Sequence, residues 1–257
     1  MSPSDNVIFG INPVLEKLNA SANDILEILV SDVHERPALR QIAETAAQFG
    51  LRVVPVHPNV LDRLAGGQRH QGVVAKVAEY SYLPFADLLR QVSTGSTANW
   101  VLILDGLTDP RNFGALLRTA EAVGVRHIII PKDRSVDVTP IVVKASAGAA
   151  HHLSIAKVTN LRRAIAVLKE NGYWLAGLDG ASRESIYEQT YPDRLAIVLG
   201  NEGKGVRPLI MRECDFLIAI PMLGKIASLN VSVAGAVFLY ELLRQSRSAG
   251  RDSAKRL

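Results

Sequence analysis

Short apolar runs alternate with amphipathic stretches from residue 7 to residue 80, and the two patterns predict different elements. Asn12-Pro13 reads as the cap and first turn of a helix through Leu18, since proline fits a first turn and Asn accepts backbone N–H groups. Residues 25–30 read as a strand. A second helix from Pro37 stops at Gly50, which suits a left-handed cap, and 51–56 read as the next strand. A short helix over 60–64, the loop Gly66-Gly67-Gln68-Arg69-His70 and a strand over 72–77 complete a small α/β domain of about 75 residues.

The boundary falls in residues 80–98, where Pro84 and Ser93-Thr94-Gly95-Ser96-Thr97 interrupt the pattern and leave room for one short helix over 85–92. Beyond Trp100, strand and helix patterns alternate. The strand candidates are 101–104, 127–130, 173–178, 195–199 and 216–220; runs apolar on both faces predict a buried parallel sheet covered by helices. The last helix, 230–244, is apolar almost all round in its first turns (Val231, Val233, Ala234, Val237, Phe238). That predicts burial against the sheet, a second subunit, or both. The chain thus divides into 1–79, a linker 80–98, a larger domain 99–247 and a tail 248–257.

Composition narrows the classes. The 257 residues are 48% hydrophobic, enough for packed cores, which excludes wholesale disorder. A lone Cys214 excludes an intrachain disulfide framework and points to a reducing cytosol. His151 and His152 are the only adjacent imidazoles and no Cys pair accompanies them, so no metal site is expected. Neither a signal-peptide pattern nor a charge-free run of about 18 apolar residues is present, so no membrane association is expected. The net charge of +4 suggests a polyanionic partner, but it is unevenly placed. Residues 1–80 hold 7 basic and 9 acidic side chains, residues 81–243 hold 17 and 15, and the last fourteen hold 5 and 1. The excess belongs to the last fourteen residues, which add salt-sensitive attraction to a polyanion without selecting a site.

Three stretches carry candidate chemistry. In the first, residues 104–114, a polar loop leaves a strand and enters a helix whose plausible cap is Asn112 and whose apolar face is Phe113, Leu116, Leu117, Ala120 and Val123. Arg118 lies about 160° from the centre of that face. A solvated arginine is the plain reading; Gly114, Ala115 and Ala122 nearby give low walls that favour close approach of a ligand. The second is Gly200-Asn201-Glu202-Gly203-Lys204-Gly205, which fits neither the phosphate-loop nor the dinucleotide-binding spacing. The third runs from Ile220 to Val233, where Ser228 and Asn230 interrupt apolar residues; each either caps the following helix or faces a ligand.

In this order the three stretches resemble the motifs of the TrmH (SpoU) group of SPOUT RNA ribose methyltransferases, over residues 100 to about 245. Phe9-Gly10 and Gln71-Gly72-Val73-Val74-Ala75 resemble the small L30e-like substrate-binding domain of two-domain members, and the RlmB type, acting on a guanosine ribose of 23S ribosomal RNA, is the most similar branch. The resemblance implies a homodimer with an α/β trefoil-knot catalytic domain binding S-adenosylmethionine through main-chain groups at Leu199, Gly200, Ile220 and Leu229. Gly200 would then admit a base or ribose where a side chain would block it. It implies catalytic roles for Asn112, Arg118, Glu202, Ser228 and Asn230: Arg118 as base, phosphate-orienting group or alkoxide stabiliser, with Glu202 fixing its guanidinium and the others positioning ribose and cofactor. Arg111, Lys132, Arg134, Lys204, Arg207 and Lys225 become candidates for phosphate contacts. His151 is a departure, since relatives often carry an acid there. A noncatalytic RNA-binding or ribosome-assembly protein, and a transfer-RNA or antibiotic-resistance methyltransferase, remain the alternatives.

Overall fold

A computed structural model of the chain describes residues 7–31, 36–93, 99–203, 205–226 and 228–254. They form two compact units, 1–81 and 82–257.

In the first unit the elements are β1 (Val7–Phe9), α1 (Ile11–Ser21), β2 (Ile25–Val30), α2 (Pro37–Gln48), β3 (Val53–Pro55), α3 (Pro58–Leu64) and β4 (Val73–Val77). The sheet order is β1-β4-β2-β3, with β4 antiparallel to β1 and β2, and β3 parallel to β2. Strand alternation explains the layers. Val73, Ala75 and Val77 of β4 are buried with Val14 and Leu18 of α1 and with Leu39, Ile42 and Ala46 of α2, whereas Val74 points the other way, to Leu29 and Leu61 of α3. Gly50 takes the left-handed conformation expected after α2 (φ 65°). The first helix differs from expectation: it begins at Ile11, after Gly10, and its leading N–H is satisfied by Gln71 Oε1 at 3.0 Å rather than by Asn12.

The second unit contains α4 (Phe85–Ser93), β5 (Asn99–Asp105), α5 (Pro110–Ala122), β6 (His127–Pro131), α6 (Pro140–Ala145), β7 (Ser154–Val158), α7 (Leu161–Glu170), β8 (Trp174–Leu178), β9 (Arg194–Gly200), α8 (Pro208–Met211), β10 (Phe216–Ile218) and α9 (Val231–Ala254). Every pairing in its sheet, β10-β8-β9-β5-β6-β7, is parallel. All seven residues of β5 are buried, as a central strand covered on both faces requires. Val101 and Ile103 join a core with α4, α7 and α8, and the alternate positions face the layer of α5 and α9. Gly235 of α9 permits that second contact, since a Cβ there would stand 2.4 Å from Leu116 Cδ2 and 2.7 Å from Leu199 Cδ1.

Three sequence expectations change. The helix of the expected linker, α4, buries Leu88 and Val92 in the sheet's own core. Strand β7 was not legible, because it is a short edge strand carrying Ser154 and Lys157. Helix α9 continues through residues 248–254 of the expected tail; Lys255 and Arg256 lie outside the described residues, as do Thr94, Gly95, Ser96 and Thr97 of the linker. Among the described residues no helix is long and apolar enough to cross a membrane.

Cys214 packs against Gly177, its sulfur occupying the place where a Cβ would come within 2.8 Å. Burial, reinforced by the Asp215 carboxylate, pushes its thiol up to about 12. At pH 8 on the order of one thiol in 10,000 is ionised, so iodoacetamide is expected to leave folded protein unmodified and to label Cys214 only after denaturation. Rapid native labelling, read by intact mass, would contradict this placement.

Candidate active site

Asp105 and Gly200 end β5 and β9 and are register partners in the parallel ladder. The connection after β5 leads to β6 on one side, and that after β9 leads to β10 on the other. Neighbouring strands whose connections diverge open a crevice at their carboxyl ends, where open α/β sheets bind ligands. The first two candidate stretches are the loops leaving these strands, and the third follows β10 into α9.

The side chains at this crevice form a connected network. Asp109, not Asn112, caps α5: its Oδ1 accepts from the N–H groups of Arg111 (2.6 Å) and Asn112 (3.1 Å). With the helix end satisfied, Asn112 Nδ2 donates to Glu202 Oε1 (2.7 Å), and Asn112 Oδ1 accepts from Asn230 Nδ2 (3.0 Å). Asn230 also caps α9, because its Oδ1 accepts from Ser232 N (2.9 Å) and Ser232 Oγ (2.6 Å). Asn230 therefore caps the helix, one of the two roles left open for it, and joins the network through its amide nitrogen. Three stretches, about 90 and 118 residues apart from Asn112, converge through two amides and one carboxylate.

Two expected members are not in the network. Ser228 is exposed and makes no hydrogen bond among the described residues; Ser232, two positions after the cap, takes the place beside Asn230. Arg118 is exposed, without a hydrogen bond or ion pair among the described residues. Six positions along α5 place it about 240° around and about 9 Å along the axis from Asn112, and Glu202 is committed to Asn112 rather than to the guanidinium. The low wall inferred at Gly114 has another cause. This glycine is buried, and a Cβ on it would meet Ala145 Cβ at 2.4 Å and Val142 O at 2.9 Å, so it lets α5 and α6 touch.

Backbone bonds between Asn201 and Gly205 (3.0 and 2.8 Å) fold the glycine loop back on itself, and Gly205 adopts φ 64°. A Cβ on Gly200 would lie 2.0 Å from Gly205 C and 2.1 Å from Val206 N. The loop's own main chain is thus reason enough for glycine at 200. Asn201 Nδ2 donates to Gly106 O (3.0 Å), tying the two crevice loops together.

Asp105, 1% exposed, forms a second tie that the sequence did not disclose. It accepts from Arg207 N (2.9 Å) and Arg207 Nε (2.7 Å), and Arg207 Nη2 stands 2.6 Å from its Oδ1. Arg207, a candidate for an RNA phosphate contact, shapes the loop through this pair. Arg111, Lys132, Arg134 and Lys225 are exposed, and Lys204 lies outside the described residues. Asp105→Ala removes the buried acceptor shared by the Arg207 main-chain N–H and guanidinium and is expected to cost about 1 kcal/mol in urea unfolding; a loss below about 0.5 kcal/mol would show the clamp to be dispensable.

Leu199 is buried, while Ile220, Leu229 and the described residues between them belong to neither helix nor strand. Met222, Leu223, Ile226 and Leu229 are exposed there. Irregular main chain with uncovered apolar side chains suits a purine nucleoside, which needs backbone donors and acceptors at its edge and apolar cover on its faces. His151 is exposed in a 3-10 turn (Ala149–His152) that packs on α5. Among the described residues no group of three or more His, Cys, Asp or Glu side chains is placed to hold a metal ion.

This crevice and fold are those of a class of RNA-modifying enzyme. Residues 99–240 match the SpoU rRNA Methylase family and residues 7–83 match the RNA 2′-O ribose methyltransferase substrate binding family. The chain belongs to the SpoU methylase family. It is 40% identical over 250 residues to YacO of Bacillus subtilis strain 168, assigned to the TrmH family of tRNA/rRNA methyltransferases, with 97% of this chain and all of that protein covered. It is 41% identical over 249 residues to 23S rRNA (guanosine-2′-O-)-methyltransferase RlmB of Xanthomonas campestris, again covering 97% and 100%. In fold it resembles the SpoU methyltransferase AviRb of Streptomyces viridochromogenes, solved in complex with AdoMet, at TM-score 0.69 and 21% identity over 94% of this chain and 90% of that one.

Proposed function

We propose that this chain is a cytoplasmic, homodimeric methyltransferase that transfers the methyl group of S-adenosylmethionine to a guanosine ribose 2′-oxygen in 23S rRNA. The observation that carries this reading is the Asn112–Glu202–Asn230 network at the divergence of β5 and β9. Family membership and the near full-length similarity to an RlmB protein support it.

Bound S-adenosylmethionine would supply a sulfonium methyl group: the ribose oxygen gains the methyl carbon, the carbon–sulfur electron pair stays with the sulfur, which becomes a neutral thioether, and the hydroxyl proton passes to solvent. The main chain at Leu199, Gly200, Ile220 and Leu229 holds the adenosine, with the exposed apolar side chains of 222–229 as its cover. Asn112 and Asn230 orient the sugar, Glu202 fixes Asn112, and Ser228 lies beside the ribose. Arg118 assists departure of the hydroxyl proton or stabilises the developing alkoxide. Arg118 stands outside the network of its own copy, and Val233 and Tyr240 of α9 are exposed; a second copy brings its Arg118 to the network and covers that helix.

The test is transfer of labelled methyl from S-adenosylmethionine to 23S rRNA, followed by mapping of alkali-resistant linkages. Label at a single guanosine ribose is expected. Label confined to transfer RNA would replace the substrate, and no binding of S-adenosylmethionine in calorimetry would favour a noncatalytic RNA-binding protein.

A further inference from the structure

A chain of contacts leads to the crevice from Tyr82, a residue outside all three candidate stretches and the first of the second unit. Its neighbour Leu83 donates its N–H to Ile155 O on the outer edge of β7 (2.8 Å), which lays this segment along the sheet. The Tyr82 hydroxyl accepts from Val138 N (2.8 Å) and donates to Asp137 Oδ1 (3.3 Å). Lys157 of β7 closes the arrangement, since its ammonium is paired with Asp137 and stands 4.2 Å from the centre of the Tyr82 ring. Burial pushes the pKa of Tyr82 up to about 12, so the hydroxyl keeps its proton and serves as donor and acceptor together.

This brace holds the loop after β6, residues 132–139, and that loop abuts the crevice. Val136 N donates to Leu107 O (2.8 Å), and Arg134 O lies 3.7 Å from the place of a Cβ on Gly106. Gly106 is the residue whose carbonyl accepts from Asn201, and Asp109, three positions on, is the cap of α5 that leaves Asn112 free for Glu202. The loop needs holding. Arg134 takes φ 57°, a left-handed value that side chains rarely adopt, and Ser135 Oγ is buried without a hydrogen-bond partner among the described residues. Such a conformation persists only where its surroundings determine it. The determining bonds are Lys132 N on Val158 O (2.9 Å) before it, and Val136 on Leu107 and Val138 on Tyr82 after it.

We propose that Tyr82 is a positioning residue for methyl transfer: through the loop after β6, its hydroxyl holds the start of α5 where Asn112 meets Glu202 and Asn230. It touches neither ribose nor cofactor. The proposal rests on the methyltransferase reading above, and a readout that needs no turnover separates the two.

Tyr82→Phe deletes only the hydroxyl. In transfer of labelled methyl from S-adenosylmethionine to a 23S rRNA transcript, well below the thermal midpoint, kcat is expected to fall about tenfold. That is a partial displacement of groups whose misplacement by about 1 Å costs about a hundredfold. KM for RNA and the affinity for S-adenosylmethionine are expected to stay within twofold. Asn160→Ala controls for stability alone: it removes the cap of α7, which accepts from Arg163 N, and Asn160 has no hydrogen bond to either crevice loop among the described residues. Each variant is expected to lower the thermal midpoint by about 2–4 °C, and only Tyr82→Phe to slow turnover. Amide hydrogen exchange read by mass spectrometry is the readout without turnover: peptides over 105–113 and 132–139 are expected to exchange faster in Tyr82→Phe and unchanged in Asn160→Ala. A kcat within twofold of the parent, an equal fall in both variants, a loss confined to KM for RNA, or unchanged exchange over 105–113 each overturns the proposal. A parent that transfers no methyl group, with exchange over 105–113 still responding to Tyr82→Phe, would end the methyltransferase reading and leave the linkage from Tyr82 to α5 standing.

Discussion

Arg118→Ala is expected to reduce methyl transfer to RNA by a hundredfold or more, with S-adenosylmethionine affinity within twofold of the parent. The side chain is exposed and unbonded among the described residues, so its loss should change stability by less than about 0.5 kcal/mol. A fall in rate would then report chemistry, not folding. A guanidinium offers donors and no acceptor, which makes it better suited to stabilising an alkoxide or orienting a phosphate than to removing a proton, and a placed donor to a developing oxyanion is worth about 10²–10³ in rate. Mixing this variant with Asn112→Ala tests the dimer directly. If Arg118 of one copy serves the network of the other, each mixed dimer keeps one intact composite site, and random exchange restores about a quarter of the parent activity. No recovery would place Arg118 in its own copy's site, and full activity of Arg118→Ala alone would remove it from the mechanism.

The pattern of apolar runs anticipated much of the fold because central strands and covered helices leave long signals: β5, β6, β8 and β9 are buried runs, and the apolar face predicted for α5 is the one it buries. It was silent on β7, a short edge strand in which Ser154 and Lys157 interrupt the buried Ile155, Ala156 and Val158. At the site the sequence assembled the right segments but not all of the partners. Asn112, Glu202 and Asn230 were legible as polar residues at element boundaries. That Asp109 caps α5 and frees Asn112 depends on where the first turn begins, a matter of one turn's register. That Arg207 serves Asp105 could not be read from either residue, since the two lie 102 positions apart and meet only when β5 and β9 end side by side. The glycine at 200 was legible, but the need of its own loop for it was not, because a glycine that admits a ligand and one that admits its own loop look alike in sequence.

That distinction makes Gly200→Ala the most informative single methyl group in the chain. The added Cβ meets backbone on every near side, at 2.0 Å from Gly205 C, 2.1 Å from Val206 N and 2.2 Å from Gly205 O. Main chain cannot rotate away as a side chain does, so the loop must move; overpacking of this kind costs about 1–3 kcal/mol or more. Gly203→Ala is the contrast within the same loop, with its nearest neighbour, Asn201 Oδ1, at an ordinary 3.8 Å, and should cost little stability. Movement of the loop reaches both halves of the site. Asn201 would lose its bond to Gly106, and Glu202 would shift away from Asn112, while the main chain proposed to hold the adenosine lies at the hinge itself. A displacement of about 1 Å between reacting groups is enough to cost about a hundredfold in rate. Gly200→Ala is therefore expected to lower the unfolding free energy by about 1–3 kcal/mol, to weaken S-adenosylmethionine binding at least tenfold in calorimetry, and to leave no measurable transfer. A stable variant that binds S-adenosylmethionine normally would mean that the loop yields without moving the site, and that the close approach of Gly200 to its own chain does not set the cofactor's place.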